Sequence, residues 1–353
     1  MTDLFKKPKN MRREDGTRKY AFVTFIMMND SFLPGGLMLA YGLRKQNLDA
    51  DIICMVTEKI SDETKEALEM VYDYVIEVNE IFVHHKRRQK RQDRPFLFTR
   101  FHSLRLGKDG DLGFNYEKIV MLDSDVFPMR NYDHLFTLDT PAGTVNEKRE
   151  YCLEYDDQGN YILPDNVMEN KKWKWHEVYD DICPHGSKIP ADICNRVKED
   201  PSNMGVNSSL LVLTPSVKEF NSIMEDIQKP EVQDFIGDVF NWPEMQYIST
   251  RWAGDITNVD LIFNGFGGYP DISILYGLHY AGFKPWSFKY KKKIYNLGKH
   301  IDFQFWYVNF INLVTIDYPQ LMQFKKIRKL LDEILDFQRY LGKFEFKQQE
   351  VRL

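Results

Sequence analysis

The sequence predicts an α/β fold: a central sheet with helices packed on both of its faces. Three observations carry this. Apolar runs of strand length alternate with segments of helical periodicity. Those runs are continuous rather than alternating apolar and polar, as strands covered on both faces require, which points to a parallel sheet. And 353 residues, 43% of them hydrophobic and 14% aromatic, suffice to fill a large core.

The first strand is expected in "KYAFVTFIMM" (19–28), followed by a helix in "GGLMLAYGLRKQ" (35–46) and a second strand in "ADIICMVT" (50–57). A helix over 61–72 opens at Ser61, with Asp62 and Glu63 placed to suit the positive end of its dipole. "YVIEV" (74–78) is a third strand. "PFLFTRFHSLRL" (95–106) is a helix candidate leading into "KIVMLDSDVFP" (118–128). Residues 146–204, rich in charge and aromatics, interrupt the pattern as an insertion. "VNSSLLVL" (206–213) is again a strand, with a helix begun by Pro215 after it. "PEMQYISTRW", "VDLIF" and "SILYGLHYAG" continue the alternation, and the tail 323–341 reads as a long amphipathic helix. No internal repeat is evident. The resulting division is a basic N-terminal segment (1–18), a main domain (19–290) and a helical extension (291–353).

Bulk properties narrow the function. A net charge of −5 argues against a general nucleic-acid binder. No apolar stretch reaches the roughly 18 residues of a membrane span; "FQFWYVNFINLV" (303–314) is too short and carries Gln304, Asn309 and Asn312. The start of the chain lacks the apolar core of a signal peptide, so a soluble, cytoplasmic protein is expected. Cys152, Cys183 and Cys194 share a segment with His176 and His185, but their spacing matches no paired zinc pattern; reduced thiols are the expectation, with Cys54 a core residue. The basic runs "KKPKNMRR" and "HHKRRQKRQDR" (84–94) read as solvated loops or as attractors of an anionic substrate.

The chemistry is expected at Asp123 and Asp125. Asp-x-Asp also occurs at Asp49–Asp51 and Asp109–Asp111, but only the third pair ends a continuous apolar strand. Residues i and i+2 of a strand share a side, and ligands of open α/β sheets bind at the carboxyl ends of strands. Buried carboxylates need a positive partner, and a divalent metal that also holds phosphate oxygens is the natural one. Without it the pair should repel, so that losing one carboxylate would be well tolerated by the fold. "HYAGFKPW" (279–286) supplies His279 as a third ligand, Gly282 for close backbone approach and Lys284 to neutralise phosphate.

Together with "FLPGGLMLAYGLRKQ", "TRFHSLRL", "KIVMLDSDVFPMRNYDHLF" and "GVNSSLLVLTPSVKEF", these motifs resemble, in order from about residue 20 to 290, those of the glycogenin-like family-eight glycosyltransferases. The resemblance implies a GT-A fold, a UDP-sugar donor (glucose or a related hexose), manganese or magnesium, and transfer to a hydroxyl of a saccharide or protein with retention of configuration. Asp123, Asp125 and His279 match the family's metal ligands, and Gly282 and Lys284 its diphosphate contacts. Arg100 matches a cation near the donor, Met28, Asn29 and Phe32 the nucleoside pocket, and Asn207 and Ser208 a sugar-contacting pair. The family's Asp-Gln pair falls on Met245–Gln246. Gln246 is matched, and the carboxylate is missing unless Glu244 replaces it. Lys284, Arg100 and Gln246 are the expected catalytic residues. The region of a self-glucosylated tyrosine is shortened, leaving Tyr269 as its best candidate.

Two rival readings are a nucleotidyltransferase, whose glycine-rich basic loop "MMNDSFLPGG" does not provide, and an inactive UDP-sugar-binding module. The apolar tail positions Ile327, Leu330, Leu331, Ile334, Leu335 and Leu341 suggest either a homodimer or packing onto the chain's own domain.

Overall fold

The computed structural model describes residues 5–85, 91–145, 183–265 and 271–342, and the backbone of 154–155, 161–162 and 343–350. Its strands are β1 (Tyr20–Ile26), β2 (Asp51–Val56), β3 (Tyr74–Glu77), β4 (Lys118–Leu122), β5 (Val126–Pro128), β6 (Ala142–Val145), β7 (Glu154–Tyr155), β8 (Tyr161–Ile162), β9 (Val206–Leu213), β10 (Thr257–Asn258) and β11 (Gly277–His279). A seven-stranded sheet runs in the order β10-β6-β9-β4-β1-β2-β3, and β11 pairs with β5 in a small second sheet. This is a Rossmann-like α/β fold, with helices at its C-terminal end.

The expected strands are present, with one difference of direction. β1, β2, β3 and β4 pair in parallel, whereas β9 runs antiparallel to both β4 and β6, so the sheet is mixed. Both faces are buried. Phe22, Ile52, Cys54, Val120, Leu122, Leu210 and Val212 join one core with the helix α1 (Leu33–Lys45) and the C-terminal helices. Ala21, Val23, Ile53, Met55, Ile119, Met121 and Leu211 join the other. Sealing on both sides is why these strands read as continuous apolar runs. β3, at the sheet edge, is half exposed.

Helix starts follow local chemistry. Pro34 lies in the first turn of α1, and Ser61 caps α2 (Asp62–Glu69) by accepting from the Thr64 amide. The segment expected as a helix over 95–106 is instead a twelve-residue 3-10 helix, Arg94–Arg105. "VDLIF" forms no strand: β10 ends at Asn258 and Leu261–Phe263 is one 3-10 turn.

The tail helix Lys325–Glu350 turns its apolar face inward. Ile327, Leu330, Leu331, Ile334 and Phe337 are buried in the same core as α1. Burial of side chains this size is worth about 1.5–3 kcal/mol each, so of the two readings left open for this face, a homodimer or the chain's own domain, the second is the one these residues take.

Of the segment 146–204, only 154–155, 161–162 and 183–204 are described, and the latter includes the helix Ala191–Glu199. Cys152, His176 and Tyr269 lie outside the described residues. Cys183 and Cys194 are buried, and burial pushes the Cys194 thiol up to about 11. His185 is engaged elsewhere: its Nδ1 accepts from the Asp260 amide at 3.0 Å, and its Nε2 is 2.8 Å from Nε2 of His134.

Candidate active site

The antiparallel direction of β9 builds the site. Leu122 of β4 faces Leu210 of β9, so Asp123 comes level with Ser209, to whose carbonyl it donates its amide hydrogen at 2.9 Å. The carboxyl end of β4 thus meets the beginning of β9, which carries Asn207 and Ser208. A bulge lies there as well: against β6, Leu211 faces Gly143 but Asn207 already faces Thr144. Bulges re-aim side chains at functional edges. The second sheet brings the third group, because His279 pairs with Val126 and so stands beside Asp125.

Asp123, Asp125 and His279 can each direct one ligand atom into a common space, with all three atoms within 4.8 Å of one another. Among the described residues no other group of three or more His, Cys, Asp or Glu does so. His279 Nε2 lies 3.4 Å from Asp125 Oδ1, an oxygen that is buried and has no hydrogen bond. His279 Nδ1 is 3.1 Å from Ser209 Oγ, which also receives the Asn264 side-chain amide at 2.7 Å. With its proton on Nδ1 the imidazole leaves Nε2 open toward Asp125, the usual support for a metal-ligating histidine. Two carboxylate oxygens, one of them the orphaned Asp125 Oδ1, and one imidazole nitrogen suit a divalent cation.

Cations flank the carboxylates. Lys284 Nζ pairs with Asp125 Oδ2 and donates to the Tyr280 carbonyl at 2.7 Å. Burial alone would raise the Asp125 pKa; Lys284 first, then His279, outweigh it and hold the carboxyl well below the usual range. The expected repulsion between bare carboxylates is therefore not what the metal-free site contains. Arg100 is 2% exposed, and its guanidinium reaches three groups of the site besides the Leu97 carbonyl of its own helix. Its Nη2 is 2.9 Å from Asp123, its Nε 2.5 Å from Glu244, and its Nη1 donates to the Ser208 carbonyl at 2.5 Å. Burial opposes this charge, and the paired carboxylates of Glu244 and Asp123 more than compensate.

Glu244 is the carboxylate that sequence reasoning held only in reserve. It is 1% exposed, accepts from Ser208 Oγ at 2.9 Å, and burial pushes its carboxyl up to about 7. Gln246, one turn-fraction further along the helix Pro243–Arg251, is not brought to this cluster by its polar atoms. Its carbonyl accepts from the Trp242 amide, and its NH₂ group donates to the carbonyls of Pro201 and Asn203. Both hydrogens of the Gln246 amide are thus engaged with backbone carbonyls. Ser209 and Asn264 were missed: Ser209 was visible only as the end of the "NSS" run, and Asn264 gave no signal.

Of the nucleoside-pocket candidates, Phe32 adjoins the same centre. Met28 holds a left-handed backbone, φ 66°, rare for a non-glycine residue. The Asn29 side chain accepts from the Ser31 amide at 3.0 Å. The Phe32 ring lies 5.8 Å from the Lys284 ammonium and 5.9 Å from the Trp286 ring, whose Nε1 donates to the Ser31 carbonyl at 2.9 Å. Gly282 uses the positive φ of 88° that its lack of Cβ permits, and Gly35 lets α1 press against the Ser124 backbone between the two aspartates. Asn207 and Ser208 are buried, which also disposes of Asn207 as a glycan acceptor.

No family model matches the sequence. The uncharacterized protein R707 of Acanthamoeba polyphaga mimivirus is 28% identical over 279 residues, 76% of this chain and 83% of that one. Glycogenin of Neurospora crassa is 37% identical over 114 residues, 32% of this chain; the chain spans only 16% of that protein. Galactinol synthase 6 of Arabidopsis thaliana is 22% identical over 280 residues, 76% of this chain and 74% of the plant protein.

Proposed function

We infer that this chain, a glycogenin-like glycosyltransferase, moves a hexose from a UDP-sugar to a hydroxyl of a saccharide or protein acceptor, in the cytoplasm and with a divalent metal, manganese first, as cofactor. The observation that carries the reading is the convergence of Asp123, Asp125 and His279 around the orphaned Asp125 Oδ1, with Lys284 and Arg100 alongside. Among the described residues no helix is long and apolar enough to cross a membrane.

Asp123, Asp125 and His279 would hold the ion. When bound, such an ion would supply positive charge against the negative charge that gathers on a departing diphosphate. Lys284 supplies a second positive charge there, and Gly282 lets the backbone come close. Arg100 holds Asp123 and Glu244 in fixed positions at once, so the carboxylate facing the donor sugar is Glu244, one residue before the family's position. Phe32 offers a ring face to the base, and Asn207 and Ser208 stand at the sugar end. Among the described residues the site contains no carboxylate free of ion pairing or metal duty to act as a covalent nucleophile. This favours attack by the acceptor on the face that UDP leaves, retaining the anomeric configuration, with the leaving phosphate taking the acceptor's proton.

The test is UDP release from a panel of UDP-sugars with manganese, with magnesium and with chelator, for the parent and for Asp125→Asn. Turnover that needs metal and falls by orders of magnitude in the variant is expected. Full turnover in chelator would end the reading, and tight UDP-sugar binding without turnover would assign the chain as a binding module.

A further inference from the structure

The apolar run 303–314 plays no part in the site, yet it forms an unusual surface. It lies in the helix Ile301–Asn312 and its continuation Leu313–Asp317. The inner face, Phe303, Trp306, Tyr307, Phe310 and Leu313, is buried in the core. The outer face is uncharged and carries apolar side chains as well: Ile301 and Val308 are each 55% exposed and Ile316 69%, with Phe305 and Ile311 half-buried among Gln304, Asn309, Asn312 and Thr315. From Phe303 to Ile316 there is no charged residue. A surface helix ordinarily turns charged and polar groups outward.

The flank is as one-sided in charge as the helix is in polarity. Between Asp271 and Asp302 the chain has no acidic residue but carries Lys284, Lys289, Lys291, Lys292, Lys293 and Lys299. Lys284 is committed to Asp125; the other five are exposed and have no ion pair among the described residues. Tyr290, 55% exposed, sits among them. The cluster lies at the N-terminal end of the apolar helix. Lys293 Nζ is 5.0 Å from the Phe283 ring, Phe283 is stacked 6.4 Å from Phe303 of that helix, and Lys299 precedes Ile301 by two residues. The helix's own acids offer this cluster nothing: Asp302 is buried and Asp317 accepts from the Tyr41 hydroxyl.

We propose that this face lies on an anionic membrane surface, the lysines against the headgroups and Ile301, Val308 and Ile316 in the interfacial layer, holding the cleft beside the bilayer without crossing it. Helices that lie in the interface combine an apolar face with flanking lysines and an aromatic anchor. Each lysine near an anionic leaflet adds attraction that decays within a Debye length. A second copy of the chain fits less well. A two-fold interface sets a patch against itself, and the one exposed acid of this helix, Asp317 at its far end, would leave the five lysines largely without counter-charges.

Co-sedimentation with vesicles tests this, using phosphatidylcholine alone and phosphatidylcholine with phosphatidylserine. The parent is expected to bind the anionic vesicles only, and to be released by salt. Val308→Asp and Ile316→Asp should each weaken binding, and Lys291→Gln with Lys292→Gln should weaken it roughly tenfold or more. All three should keep the parent's melting temperature and UDP release in solution, so the outcome is independent of the glycosyltransferase reading. No binding to anionic vesicles at low salt would overturn the proposal. So would binding indifferent to all of these substitutions. A dimer in light scattering that Val308→Asp dissolves would assign the face to a second copy instead.

Discussion

Lys284 and Asp125 form an ion pair at the point where the metal ligands converge, with the lysine anchored a second time on the Tyr280 carbonyl. The lysine and a divalent cation therefore compete for one carboxylate. Lys284→Gln leaves Asp125 buried without its main partner, a change that costs up to about 3–5 kcal/mol when a buried pair is broken. In chelator the variant should melt well below the parent. Manganese should rescue it by a larger margin than it stabilises the parent, and should bind the free variant several-fold more tightly in titration calorimetry, while UDP release slows. Equal manganese affinity in the two proteins would mean that Lys284 does not hold the carboxylate.

Glu244 and Gln246 are separated by one residue on the same helix but do different work. Gln246 ties three backbone groups, while Glu244 pairs with Arg100 and Ser208 in the cleft. Gln246→Leu should therefore lower stability by about 2–3 kcal/mol, because buried backbone groups lose their partners, with turnover tracking the folded fraction. Glu244→Gln should keep most of the stability and reduce kcat/KM at least tenfold with the preferred donor. Steady-state kinetics beside denaturant melts separate the two. The reverse pattern would return the sugar-facing role to Gln246.

The Glu244 carboxyl, raised by burial from the ordinary 4.5 to about 7, also gives stability a definite pH dependence. Between those values the folded state holds a proton that the unfolded state has lost. Its contribution to stability is present below about pH 4.5, declines as pH rises to about 7, and is flat above. His102 and His185, both lowered to about 4 by burial, contribute the opposite slope, losing stability as pH falls from 6.5. The observable is thus the difference between parent and Glu244→Gln in melts from pH 5 to 8. That difference should shift against the parent as pH rises to 7, by at most about 1.4 kcal/mol per pH unit. A difference independent of pH would show that Glu244 is ionised throughout.

The strands and the grouping of Asp123, Asp125 and His279 were legible in the sequence because each rests on a local pattern: an apolar run, an i, i+2 pair at its end, a His-x-x-Gly-x-Lys motif. What was not legible depends on pairing between distant segments. The antiparallel direction of β9, which brings Ser209 level with Asp123 and Ser208 next to it, leaves no trace in a strand buried on both faces. The same holds for Glu244. Its position in the cleft comes from Arg100, on another element, and the motif spacing pointed one or two residues further on. The inward turn of the tail helix was open because an amphipathic stripe states that a face is covered, not by what.

Gly35 shows how closely the helix α1 must approach the aspartates, and it yields the last prediction. A Cβ built there would lie 2.3 Å from the Ser124 carbonyl oxygen and 2.6 Å from the Trp286 ring. Neither neighbour can give way cheaply. Ser124 is fixed between Asp123 and Asp125 by backbone hydrogen bonds on either side, Asp123 to Ser209 and Tyr280 to Asp125. The Trp286 indole is held through Nε1 to Ser31 and against the Trp306 ring at 5.5 Å. Gly35→Ala gains about 1 kcal/mol of helix propensity, but overpacking of this kind costs about 1–3 kcal/mol. The net effect should be destabilising, and the strain should fall on the metal site itself. Manganese affinity should drop along with the melting temperature, even though Gly35 bears no ligand atom. Gly113→Ala is the control: its φ of 82° makes the substitution strained, but no atom lies within 4 Å of the added carbon. It should lower the melting temperature and leave manganese affinity unchanged. A Gly35→Ala protein that binds manganese as the parent does would show that α1 can retreat without moving the aspartates.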